Sequence, residues 1–222
     1  MKKYLGICKK YSFIISAAAL ILYVIIEAAD SIIGAFRGYN LFDFGVIFNI
    51  ALIAAGALML FRQVKYAAIP FGVAAIVNIV WLITYIVNSI INLLNFGFRF
   101  VDLYPLGFFN ILFSFGQTIF GLLAMIALGA LCVLVVLNKL PNITKHWYIP
   151  AGLQAAAFVI CFLESAITFI KLLFGPAGFW MKALYFYDFG ASALIGLLLL
   201  AAVAFSGLAV HTYTLLPENQ KH

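Results

Sequence analysis

Long apolar runs alternate with short polar segments along the whole chain. A helix of about 20 residues crosses a hydrocarbon core of roughly 30 Å, and each run is long enough to do so. The pattern predicts six transmembrane helices, at about 12–33, 44–62, 67–92, 107–137, 148–173 and 189–215. Transmembrane β-strands would alternate apolar and polar residues over about 10 positions, and no segment does so. We therefore predict an all-α integral membrane protein with a single membrane domain, 1–222.

Composition supports the membrane assignment. Hydrophobic residues make up 67% of the 222 residues and charged residues 9%, whereas an ordinary soluble domain has about 45–50% apolar and about 25% charged residues. The first run, from Tyr11 to Ile26, is long for the apolar part of a signal peptide, and Glu27 lies close to the small-residue site at its end. We expect this run to remain as the first span.

The basic residues predict the orientation. Nine lie at the termini and in the two short loops near 62–65 and 139–147: Lys2, Lys3, Lys9, Lys10, Arg62, Lys65, Lys139, Lys145 and Lys221. Four lie on the opposite side: Arg37, Arg99, Lys171 and Lys182. Because cytoplasmic loops carry the excess of Lys and Arg, we predict both termini in the cytoplasm and a location in the cell membrane. Such cations can meet anionic headgroups, so the net charge of +6 requires no nucleic-acid partner.

The predicted outer loops, 34–43, 93–106 and 174–188, are rich in aromatic residues. Tyr185 and Phe186 are two of them. An interfacial aromatic belt accounts for this enrichment, because such rings settle at the headgroup level. The alternative is a lid over an apolar pocket.

A weak internal repeat divides the chain into hairpins. The third span opens with Lys65-x3-Ile-Pro-x-Gly72 and the fifth with Lys145-x3-Ile-Pro-x-Gly152. Asp43-Phe-Gly45 and Asp188-Phe-Gly190 precede the second and sixth spans. These frames predict three consecutive hairpins, approximately 10–62, 65–137 and 145–215, related by a pseudo-threefold axis. The alternative is that basic residues at the ends of the spans make any six-span chain look repetitive.

Polar residues within the spans are the main functional signal, because a charge at mid-bilayer costs roughly 2.5–3.5 kcal/mol on insertion scales. Residues three, four and seven apart share a helix face, and the odd-numbered spans carry such polar faces. The candidate binding residues are Glu27, Asp30, Tyr23, Asn78, Tyr85, Gln117 and Glu164. We expect spans one, three and five to line an interior open toward the outer face, with spans two and six facing lipid. The alternative is structural pairing, such as Glu164 with Lys171.

No catalytic motif is present. The three histidines, His146, His211 and His222, form no metal-ligand spacing, and a glycine is missing from a protease-like Ser206-Gly207 segment. We therefore predict no enzyme and no cofactor. Two hypotheses remain: a small-molecule binding or transport component, whose ligand is unknown, or a structural and interaction protein of the membrane. Transport driven by nucleotide would require partner membrane subunits, because the chain has no nucleotide-binding frame.

Overall fold

The computed structural model describes residues 2–36, 45–96, 108–139, 146–175 and 178–214. Its regular elements are six helices: α1 (Lys2–Phe36), α2 (Gly45–Leu60), α3 (Val64–Phe96), α4 (Phe108–Val136), α5 (Tyr148–Leu173) and α6 (Phe179–Thr214). Within the described ranges, five are long and apolar enough to cross a membrane, and α2, with 16 residues, is shorter. The predictions of an all-α fold and of a multi-pass membrane protein are confirmed at this level.

The helix ends show where hydropathy misleads. The fifth helix has the predicted bounds, but α6 begins at Phe179, ten residues before the predicted start. The prediction that 179–188 belongs to a loop is therefore wrong. The thickness of the bilayer sets the length of the apolar run but not the length of the helix. A helix continues past the apolar run where its backbone hydrogen bonds are satisfied. The Lys182 Nζ donates to the Leu173 carbonyl at 2.8 Å, so the start of α6 also caps the end of α5.

The two repeat frames place their prolines differently. Pro150 lies in the first turn of α5, where its missing N–H would have no intrahelical acceptor. Pro70 lies inside α3, two turns after Val64, so it leaves the Tyr66 carbonyl without its i+4 donor. The matching residues of the two frames therefore occupy different helical positions, and the three-hairpin repeat stays a prediction.

The helices form a ring in chain order. Each helix packs against its neighbours in sequence, and α1 packs against α6 to close the ring. A smaller contact joins α3 to α6 across it. The sixth helix packs against α1, α5 and α3 and also has exposed apolar side chains, Leu194 and Leu197, so the expectation that this span faces lipid stays a prediction.

Packing is tightest at one end of the ring. Among the described residues, the largest fully buried side chains include Val64, Val135, Pro150, Val203 and Val210, all near the end that carries 61–63 and 137–139. Toward the opposite end, no described side chain in 83–95, 111–117 or 158–200 is buried. Exposed apolar side chains are expected where helices face lipid. The ring is thus dense at the predicted cytoplasmic end and looser at the predicted outer end.

A buried hydrogen bond joins the first and last helices. Ser16 on α1 and Ser206 on α6 are both 0% exposed, and their hydroxyl oxygens lie 2.7 Å apart. In a bundle without water, such interhelical bonds contribute about 0.6 kcal/mol on average and up to about 1.7 kcal/mol. This pair therefore helps to close the ring.

We expect Ser16→Ala and Ser206→Ala each to lower the free energy of unfolding by about 0.6–1.7 kcal/mol. Each leaves the opposite hydroxyl buried without its partner. The double variant should lose less than the sum of the two, because the second change removes no further bond. Reversible unfolding in mixed detergent micelles measures all three values, and strictly additive losses would show that the two hydroxyls are not coupled.

Candidate functional site

Helices α5 and α6 meet through aromatic rings seated on glycines. The Trp147 ring lies against Gly207 so closely that a Cβ there would collide with it, and Trp147 Nε1 donates to the Val203 carbonyl at 2.9 Å. Further along the same interface, a Cβ at Gly196 of α6 would lie 2.5 Å from the Phe158 ring of α5. These two contacts, eleven residues apart on each helix, hold the pair together at its inner half.

Beyond Gly196 the same helix pair encloses a cleft. Its volume is about 220 Å³, and eight residues line it: Glu164, Ser165, Thr168 and Phe169 from α5, and Tyr185, Asp188, Phe189 and Ser192 from α6. On α5, Glu164 and Thr168 are four residues apart, and on α6, Asp188 and Ser192 have the same spacing. Each pair therefore lies on one helix face. The cleft, which we call the α5/α6 cleft, is where two polar faces meet.

Aromatic rings form one side of this cleft. Phe169 and Phe189 stack with ring centroids 5.4 Å apart and planes 12° from parallel. Phe186 packs on Phe169 at 5.8 Å, and Phe162 packs on Phe189 at 5.5 Å. Aromatic pairs with centroids 4.5–7 Å apart stabilise a packed interface. The rings therefore give the α5/α6 cleft a firm apolar wall beside its polar groups.

Glu164 is the acidic residue that α5 contributes to the cleft. Its side chain is half-buried, and no side chain in the described part of the chain forms a hydrogen bond or ion pair with its carboxylate. Glu164 lies about 24 Å along α5 from Tyr148 and about 14 Å before Leu173, at a rise of about 1.5 Å per residue. At such a depth an unpaired carboxylate needs water, a ligand or a bound proton to offset its desolvation.

The chain matches no protein-family model, no curated protein and no solved structure. Its function therefore has to be argued from the geometry of its own residues.

The other predicted site residues lie at separate helix interfaces. Tyr23 packs edge-on against Phe48 of α2 at 6.0 Å and hydrogen bonds to Glu27 one turn along α1. The Tyr85 hydroxyl of α3 lies 2.7 Å from the Ser114 hydroxyl of α4.

Two more of these residues lie elsewhere around the ring. Gln117 of α4 hydrogen bonds to Cys161 of α5, and Asn78 is half-buried on α3. Asp30 lies in α1, and its side chain is outside the described structure. The structure thus places polar groups at successive interfaces and brings Gln117 next to the helix that carries Glu164.

Sequence reasoning missed the half of the cleft that α6 supplies. Tyr185, Asp188 and Ser192 follow the spacing i, i+3, i+7 of a single helix face. The signal was present, but the predicted helix began after Asp188, so this face was divided between a loop and a span. Extending α6 by one helical turn would have revealed it.

Proposed function

We propose that this protein is a small-molecule binding or transport component of the membrane, and that the α5/α6 cleft is its ligand site. The observation that carries the proposal is Glu164, a carboxylate without a protein partner among the described residues, in a polar cleft at membrane depth. Intramembrane ionisable residues usually face cavities and mark substrate or ion pathways. Ligand sites also occur preferentially between helices of bundles.

The alternative is that all polar residues only join helices. The pairs Ser16 with Ser206 and Tyr85 with Ser114 fit that role, because each joins two helices through a short hydrogen bond. Glu164 does not fit it. We therefore assign the paired residues to packing and the cleft group to ligand binding. Two further buried oxygens, Asn49 Oδ1 on α2 and Gln154 Oε1 on α5, have no hydrogen-bond partner among the described residues and lie outside the cleft lining.

The proposed orientation places both termini in the cytoplasm and the α5/α6 cleft toward the outside, with three hairpins of one sense in the cell membrane. The nine basic residues against four support it. A ligand would then enter from the outer face, above the densely packed inner half of the ring. Movement across that inner half would require the helices to rearrange.

Thiol labelling tests this proposal. In a variant whose three native cysteines are replaced by Ala or Ser, Ser192→Cys should react with a membrane-impermeant methanethiosulfonate added outside intact cells. Only a thiol that can ionise in water reacts at an appreciable rate. The matched control is Leu197→Cys on the same helix, because Leu197 is an exposed apolar residue outside the cleft lining.

We expect Ser192→Cys to react at least ten times faster than Leu197→Cys. Reaction only after the reagent reaches the cytoplasm would contradict the proposed orientation. No reaction from either side would show that the cleft is closed to water, and would favour a structural protein.

A further inference from the structure

We propose that the α5/α6 cleft selects a small organic cation, an amine or ammonium group attached to an apolar body. This inference rests on the proposed function and names its ligand class. It follows from three features of the cleft taken together: its charge, its aromatic wall and its size.

The first feature is charge. Glu164 from α5 and Asp188 from α6 place one carboxylate on each wall, and none of the lining residues is basic. Two basic residues lie near the cleft outside its lining: Lys171, three residues after Thr168 on α5, and Lys182 on α6, whose ammonium donates to the Leu173 carbonyl. An ionised Glu164 facing a small space without a basic lining residue repels an anion and attracts a cation, and the low dielectric of the membrane strengthens both effects.

The second feature is the aromatic wall beside the carboxylates. Phe169, Tyr185 and Phe189 line the cleft together with the hydroxyls of Ser165, Thr168 and Ser192. A cation within about 6 Å of a ring centroid is attracted to the ring face, and aromatic surroundings are the usual site for quaternary ammonium groups. The hydroxyl oxygens can accept N–H bonds from a primary amine. The rings can in turn pack against the apolar body of the ligand.

The third feature is size. The cleft has a volume of about 220 Å³, below the roughly 300–1,000 Å³ of sites for drug-sized ligands. A single ring or a short chain attached to the amine fits this space better than a larger ligand does. A divalent metal ion is less favoured, because only two lining residues are carboxylates and no group of three or more His, Cys, Asp or Glu residues in the described part of the chain could hold a metal ion.

Equilibrium binding to the full chain in detergent tests the ligand class. The probes are 2-phenylethylammonium, its neutral analogue 2-phenylethanol and the anion 3-phenylpropanoate. We expect the ammonium to bind at least ten times more tightly than the alcohol, and the anion not to bind. Glu164→Gln and Asp188→Asn should each raise the Kd of the ammonium at least tenfold.

Two further variants keep the test interpretable. Thr212→Val removes a hydroxyl at the other end of α6, where it bonds the Leu208 carbonyl, and should leave the Kd unchanged. Ser192→Phe fills the cleft and should abolish binding. Each variant must elute as a monodisperse species, so that loss of binding is not loss of fold.

The possible outcomes separate this inference from the proposed function. Equal binding of alcohol and ammonium, both abolished by Ser192→Phe, would overturn the cation class and leave the cleft as the site. Binding of Ca²⁺ that the ammonium does not displace would also overturn it. Failure of all three probes to bind, with no labelling of Ser192→Cys, would overturn both.

Discussion

Replacing Trp147 with Ala is expected to lower the free energy of unfolding by about 3–5 kcal/mol, the range for removing a large buried aromatic side chain. Trp147 is 4% exposed and belongs to the main apolar core. The change removes the ring that fills the space over Gly207 and the donor that bonds the Val203 carbonyl. Unfolding in mixed micelles, followed by circular dichroism, measures the loss.

Three matched variants separate the causes. Trp147→Phe keeps most of the ring and removes the hydrogen bond, so we expect a smaller loss. Gly207→Val keeps the indole but forces it off the helix, and overpacking typically costs about 1–3 kcal/mol. Gly190→Ala, on the same helix, meets nothing within 4 Å and should be neutral or stabilising by up to about 1 kcal/mol. A Trp147→Ala loss below about 1 kcal/mol would contradict the described packing of α5 on α6.

Glu164→Leu is expected to leave the free energy of unfolding unchanged or to raise it, by up to about 2.5–3.5 kcal/mol. The carboxylate has no partner to lose among the described residues, and its removal relieves the desolvation of a charge. Residues kept for function at a cost in stability behave in this way. The same unfolding assay measures the change.

The structural alternative predicts the opposite sign. If Glu164 were one half of a buried ion pair, its removal would leave an uncompensated charge and cost about 3–5 kcal/mol. Ser206→Ala is the reference for a polar residue that does join helices, and it should destabilise the protein. If Glu164→Leu destabilises the protein as Ser206→Ala does, the Glu164 carboxylate serves helix packing.

The sequence was sufficient to predict the six helices that the structure describes, of which five are long and apolar enough to span a membrane. Bilayer thickness imposes a minimum apolar length, so each span is visible without knowledge of its neighbours. The fifth helix illustrates this, since its predicted and observed bounds agree. Helix ends outside the apolar run were less predictable, because backbone bonds and caps, rather than hydropathy, decide where α6 begins.

The sequence predicted how far along its helix each polar residue lies, but not which neighbouring helix that residue faces. Counting residues places Glu27 and Glu164 at matching depth in their spans. Which helix lies opposite each face depends on side-chain packing over long sequence separations, as in the contact of Trp147 with Gly207. The predicted cluster of odd-numbered helices was therefore a set of polar groups at several interfaces. In the part of the chain that the structure describes, the α5/α6 cleft contains Glu164, whose carboxylate has no hydrogen-bond or ion-pair partner.

An experimental density map of the full chain in lipid nanodiscs, with and without 2-phenylethylammonium, would show directly whether the α5/α6 cleft binds a ligand. We predict an open cleft between α5 and α6 with water beside Glu164, and additional density between Glu164 and Asp188 when the ammonium is present. A map in which α5 and α6 close on each other, with Glu164 paired to Lys171 and no space between the helices, would contradict a ligand site between these helices.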